Sequence, residues 1–133
     1  MKKASREWMR KAESDYRLAE TIAHGSEPFP DQLCFHCQQS AEKYLKALLE
    51  EAAAPIPKTH DLEHLLRLLV PVHPTLRALR RGLLFLTDFA IDTRYPGNWT
   101  TNRQATAAMR WAQRIREACR TQLGVPPQRK KSP

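Results

Sequence analysis

The sequence predicts an all-α protein, an up-and-down helical bundle of four long helices plus one short helix. Three observations predict it. Apolar residues recur at three- and four-residue spacing along almost the whole chain. Only 4 of the 133 residues are glycine, too few for a fold built on many tight turns. Prolines 28 and 30, 55 and 57, 71 and 74, and 126 and 127 fall between the periodic stretches, where they punctuate helices instead of breaking them. A hydrophobic share of 41% beside 27% charged residues excludes a disordered chain. The length suits one domain. The bundle is expected over residues 1–124, followed by a basic, disordered tail over 125–133.

The first helix is expected over residues 5–23, with Ser5 as its N-cap. Trp8, Ala12, Ala19 and Ile22 form its apolar stripe, and Asp15 lies in the middle of that stripe. A buried carboxylate is costly unless paired, so Asp15 requires a cationic partner. The second helix is expected over residues 31–53. Cys34, Cys37, Ala41, Tyr44, Leu45 and Leu48 share one face, and His36, Gln39 and Lys43 share the opposite one. The third, over residues 60–70, is short; Thr59 is its expected N-cap, and Leu62, Leu65, Leu66 and Leu69 form its buried side. The fourth is expected over residues 75–92, with a seam of Leu76, Leu79, Leu83, Leu86 and Ala90. Pro96-Gly97 then reads as a type II turn. The fifth is expected over residues 102–123, opened by a Thr101/Gln104 capping box, with Ala105, Ala108, Ala112, Ile115 and Cys119 facing inward.

Lys and Arg number 22 and Asp and Glu 14, giving a net charge of +8. The charge is unevenly spread. Residues 1–66 carry 9 basic and 11 acidic side chains, whereas residues 67–133 carry 13 basic and 3 acidic. This asymmetry suits an anionic partner for the second half, and a solvated arginine-rich surface explains it equally. No stretch of about 18 uncharged apolar residues exists to span a membrane. The basic N-terminus is followed by no apolar signal core. Three cysteines are too few, and odd in number, for a disulfide framework, so a cytoplasmic setting is expected.

Several constellations bear on chemistry. Cys34 and Cys37 have the spacing of half a zinc site, but the other half is missing. Core packing is therefore the reading for both thiols, and no metal or cofactor is expected. His60 beside Asp61 has the form of a general acid or base with an orienting carboxylate, and a helix start favours the same residues. Arg94-Tyr95 precedes a rigid turn, which holds flanking side chains in fixed directions. Arg94 either serves a site there or pairs with Asp15 inside the bundle. Arg103, Arg110 and Arg114 line up on the outer side of the fifth helix, where they either track phosphates or face solvent. The sequence contains no Gly-rich phosphate loop, no Walker-type lysine motif, no evident carboxylate pair and no nucleophile with an evident base.

The run Phe35-His36-Cys37-Gln38-Gln39-Ser40-Ala41-Glu42-Lys43-Tyr44-Leu45-Lys46 resembles the second-helix signature of the HEPN domain family. Lys58-Thr59-His60-Asp61-Leu62 and Arg94-Tyr95-Pro96-Gly97 resemble two further marks of one subgroup, in the same order. The first-helix pattern of Trp8, Ala12, Asp15 and Ala19 also fits, and the resemblance covers roughly residues 5–122.

The resemblance implies a helical homodimer that binds nucleotide or RNA, partnered in many members by a minimal nucleotidyltransferase in a toxin–antitoxin-like pair. Other members are metal-independent ribonucleases that use an arginine and a histidine with four to six residues between them. No histidine follows Arg94 at that spacing. Arg67 and His73 have the spacing but straddle Pro71, away from the family's usual place. The expected ligand site is a cleft lined by His36, Gln39, Lys43, His60, Arg94 and Tyr95. Lys43 and Arg94 would contact phosphate and Tyr95 would stack on a base or donate a hydrogen bond. Two alternatives stand beside this reading: a ribonuclease using Arg94 with His60 or His36, and a structural dimer without ligand. Phe35 and Phe85, off the main apolar stripes, are candidates for a dimer surface.

Overall fold

A computed structural model describes residues 1–90 and 95–126. The described residues form helices and connecting loops, with no strand among them. Helix α1 spans Lys3–His24, α2 Pro30–Glu51, α3 Leu62–Leu69, α4 Arg80–Thr87 and α5 Asn102–Gln122. The all-α class follows from the sequence periodicity directly.

α2 is the central element, packed against α1, α3, α4 and α5. Its composition explains the position. Leu33, Cys34, Cys37, Ala41, Tyr44, Leu45, Ala47, Leu48 and Leu49 are all buried, so apolar residues cover most of its circumference. α1 and α2 form an antiparallel hairpin: the Lys2 backbone N–H, at the start of α1, donates to Glu51 Oε1 at the end of α2, 2.9 Å away. Leu65, Leu69, Leu76, Leu83, Leu86 and Ile115 close the core from the other helices. Each such side chain contributes about 1.5–3 kcal/mol when fully buried.

Three local expectations need correction. Ser5 does not cap α1; the helix begins two residues earlier, and Ser5 is buried inside it. The tie between Lys2 and Glu51 holds the earlier start in place. Thr59 does not cap α3 either. Asp61 does, accepting from the Glu63 and His64 backbone N–H groups, while Thr59 Oγ1 accepts from the Asp61 N–H. The displacement follows from His60, whose ring is held by Glu42 and so stays outside the helix.

The segment expected as one long fourth helix is helical from Pro74 to Ala90 but changes type. A 3-10 stretch over Pro74–Leu79 leads into α4, and a 3-10 turn over Asp88–Ala90 follows it. Pro74 opens the first tight stretch, and α4 itself is pressed onto α5 at Gly82. A Cβ built there would lie 2.2 Å from the Trp111 ring, so only glycine permits this approach.

The other punctuation matches. The Thr101/Gln104 capping box forms in full. Gly97 has φ +92° and the Asn98 N–H donates to the Tyr95 carbonyl at 3.2 Å, as a type II turn at Pro96-Gly97 requires.

Candidate functional site

The polar residues of α2 fall into two clusters, each built on a carboxylate. In the first, Asp15 of α1 reaches across to α2. Its two oxygens are taken by His36 Nδ1 at 2.8 Å and Lys43 Nζ at 2.5 Å. The Asp15 side chain is only 13% exposed. Residues 36 and 43 are two helical turns apart on one face, which is why one carboxylate can meet both. The cation that Asp15 requires therefore comes from α2. Arg94, the partner considered from sequence, lies outside the described residues.

The second cluster centres on Glu42, whose side chain is 5% exposed. Oε2 accepts from Lys46 Nζ at 3.1 Å, one turn along the same helix. Oε1 accepts from His60 Nδ1 at 2.7 Å and from Gln38 Nε2 at 3.3 Å. Gln38 Nε2 also donates to the His60 carbonyl, and Gln38 Oε1 accepts from Gln39 Nε2 at 2.7 Å. Lys46 lies over the Trp8 ring, 5.7 Å from its centroid. Every buried polar group named here has a partner, so the cluster locks the loop carrying His60 onto α2. His60 itself is 56% exposed, while Glu42 fixes its ring through Nδ1.

His36, Gln39, Lys43 and His60 thus line one polar strip along α2. Tyr95 stands on a separate loop, 60% exposed. That loop is tied to the start of α2, because the Thr100 N–H donates to Asp31 Oδ1 at 2.8 Å. His73, considered with Arg67, instead meets Gln122 Oε1 of α5 through Nδ1 at 2.8 Å.

A third cluster is structural. Glu13 accepts from Arg116 Nε at 2.5 Å and Nη2 at 3.1 Å, and from the Tyr44 hydroxyl. Burial pushes the Glu13 carboxyl up, but the hydrogen bonds from Arg116 and Tyr44 outweigh it and hold the group below its ordinary value. Burial pushes the Cys34 and Cys119 thiols up to about 12, with Asp31 adding to the effect at Cys34; Cys37 is raised likewise. Cys34 and Cys37 are fully buried in the core, and His36 between them turns to Asp15.

Sequence reasoning missed Gln38, Glu42 and Lys46 as a unit. The signal was present as polar residues at i, i+4 and i+8 on a helix too apolar elsewhere to leave them exposed. Trp99 is 82% exposed. No pattern of neighbours marks a tryptophan that a loop holds away from the core.

Electrostatically, the strip is nearly balanced, since Asp15 and Glu42 offset Lys43 and Lys46. Some of the uncompensated positive charge forms a stripe on α5. Arg103 and Arg110 are exposed with no acidic partner among the described residues, and Arg114 lies over the Trp111 ring at 4.5 Å. The three share one helix face.

These features define an all-helical module with a polar strip on its central helix and a cationic outer face. The chain belongs to the HEPN domain family, whose model matches residues 5–122. It is similar to TT1696 from Thermus thermophilus, with a TM-score of 0.74 and 25% identity over 88% of this chain and 96% of that one. It is also similar to ST0689, an archaeal HEPN homologue, with a TM-score of 0.71 and 25% identity over 92% of this chain and 99% of that one. Among curated proteins, none matches. Among the described residues, no helix is long and apolar enough to cross a membrane.

Proposed function

We propose that this protein is a nucleotide- or RNA-binding HEPN module that works as a homodimer beside a minimal nucleotidyltransferase, in a toxin–antitoxin-like pair. The observation that carries the reading is the unpaired arginine face of α5, which begins beside the exposed aromatics of the 95–100 loop. Arginines without carboxylate partners remain available to phosphate, and exposed aromatic rings accept bases. Family membership supports the same class of ligand. Within this reading His36, Gln39, Lys43, His60, Arg94 and Tyr95 are the proposed ligand contacts. Lys43 would have to exchange part of its contact with Asp15 for phosphate.

Titration with short single-stranded RNA at two salt concentrations tests it. The expected affinity falls with salt by roughly 0.7 log units per log unit of salt for each phosphate contact. An absence of binding at any salt favours the structural dimer. Sedimentation of the purified chain tests the homodimer, and co-purification with the nucleotidyltransferase tests the pair.

One observation favours ribonuclease activity as a second reading. Glu42 and His60 form a buried-carboxylate and exposed-imidazole dyad, the arrangement that orients a general base. RNA incubated with the protein in EDTA is expected to stay intact under the first reading. Cleavage that disappears in His60→Ala and Arg94→Ala selects the second.

A further inference from the structure

We propose that the groove between the end of α4 and the 95–100 loop binds one unpaired guanine base, stacked on Trp99 and read by Asp88. The inference deepens the RNA-binding reading and rests on it.

Trp99 is the starting point. A side chain of this size normally buries most of its surface, and here 82% stays in solvent. The loop does not let it fold down. Gly97 sets the turn with φ +92°, and the Asn98 N–H closes it on the Tyr95 carbonyl. The Thr100 N–H is fixed to Asp31, and Thr101 already belongs to the α5 cap. The ring is thus presented on a braced support.

Beside it opens a groove of about 410 Å³, lined by Phe85, Asp88, Phe89, Asn98, Trp99 and Gln104 among others. Ligand pockets run from about 300 to 1,000 Å³. Phe85 and Phe89 form an edge-to-face pair, with centroids 5.3 Å apart, that gives the groove an apolar side. The polar groups are of two kinds. Asp88 carries two acceptor oxygens with no hydrogen-bond or ion-pair partner among the described residues. Asn98 and Gln104 carry amides; Gln104 spends its oxygen on the Thr101 N–H, which leaves its NH2 group to donate.

That combination discriminates among bases. An ionised carboxylate only accepts. Guanine alone presents two adjacent N–H donors, N1–H and the N2 amine, beside an acceptor O6. Asp88 takes the two donors and an amide NH2 serves O6. Adenine sets its N1 acceptor against the carboxylate, and uracil flanks a single N–H with two carbonyls, so both leave Asp88 unsatisfied. The edge used is the Watson–Crick edge, which restricts the site to unpaired bases. Arg103, in the first turn of α5, stands next along the chain to meet the following phosphate.

The test uses the full chain and three labelled pentaribonucleotides, UUGUU, UUAUU and UUUUU, followed by fluorescence anisotropy. UUGUU is expected to bind roughly 5- to 100-fold tighter than UUAUU, the range for a good bidentate base contact. Asp88→Asn removes that preference, because UUGUU loses its bidentate contact and falls to the affinity of UUAUU or below. Trp99→Ala weakens all three by roughly 5- to 100-fold, and Trp99→Phe restores much of the loss. Both positions are exposed, and circular dichroism confirms that the variants fold. Salt-dependent binding that ignores both the base and Trp99 overturns this inference and leaves the RNA-binding reading standing. Failure of all three RNAs to bind overturns both. A Trp99→Ala variant that binds RNA normally but sediments at a different mass assigns the surface to a second copy of the chain and overturns the guanine site.

Discussion

Asp15 holds α1 against α2 through one carboxylate shared by a lysine and a histidine. Removing it leaves Lys43 partly buried without a counter-ion. Asp15→Ala is therefore expected to cost on the order of 3 kcal/mol in chemical denaturation, as for breaking other buried pairs. A loss below about 0.5 kcal/mol would mean that water replaces the carboxylate freely. Glu13 supplies a pH prediction. Its folded pKa is depressed by Arg116 and Tyr44 relative to an ordinary value of 4.5, so its contribution is present above that value and is lost as pH falls through the folded one. Urea denaturation between neutral pH and about pH 3 is expected to show the loss, and Glu13→Gln to flatten it. At this scale the sequence was half legible. Asp15 stood out because a carboxylate interrupted an apolar stripe, but which cation meets it depends on how two helices dock. His60 stood out, whereas its partner Glu42 did not, because the two meet only when the 55–60 loop folds back on α2.

At the scale of the helix, the sharpest consequence lies in α4. Glycine in a helix interior is ordinarily about 1 kcal/mol worse than alanine. Gly82 reverses the sign, because an added Cβ would overlap the indole of Trp111. Gly82→Ala is expected to destabilise by about 1–3 kcal/mol through forced repacking of α4 on α5. The double variant Gly82→Ala with Trp111→Leu recovers part of that loss, which thermal denaturation of the single and double variants measures. The α5 cap gives a smaller effect: Thr101→Ala is expected to cost about 1 kcal/mol. Helix existence was readable from the spacing of leucines and alanines, and so was the capping box, since both depend on neighbours in sequence. The break of the fourth segment into 3-10 and α turns was not. Its apolar seam continues through Leu76, Leu79, Leu83 and Leu86 unchanged, and the seam alone does not report the close helix–helix approach at Gly82.

Across the whole molecule, the question is whether net charge or its placement governs anion binding. The chain carries +8, and its second half holds 13 basic residues against 3 acidic ones. If net charge alone sufficed, any removal of cations would weaken RNA binding equally, since long-range attraction sums over all charges. The structure separates the two cases. Arg103 and Arg110 share the outer face of α5, while Lys3 and Arg10 are exposed on α1. The pair Arg103→Glu with Arg110→Glu and the pair Lys3→Glu with Arg10→Glu alter the net charge identically. If α5 is the binding surface, the first pair is expected to abolish measurable binding of a short RNA. A longer RNA that still binds is expected to show a salt slope lower by about 0.7 for each phosphate no longer neutralised. The second pair is expected to slow association modestly and leave the slope unchanged, because distant charges steer an encounter without touching the phosphates. Equal weakening in the two variants would show that α5 has no special role and that the uneven charge is a property of the surface at large.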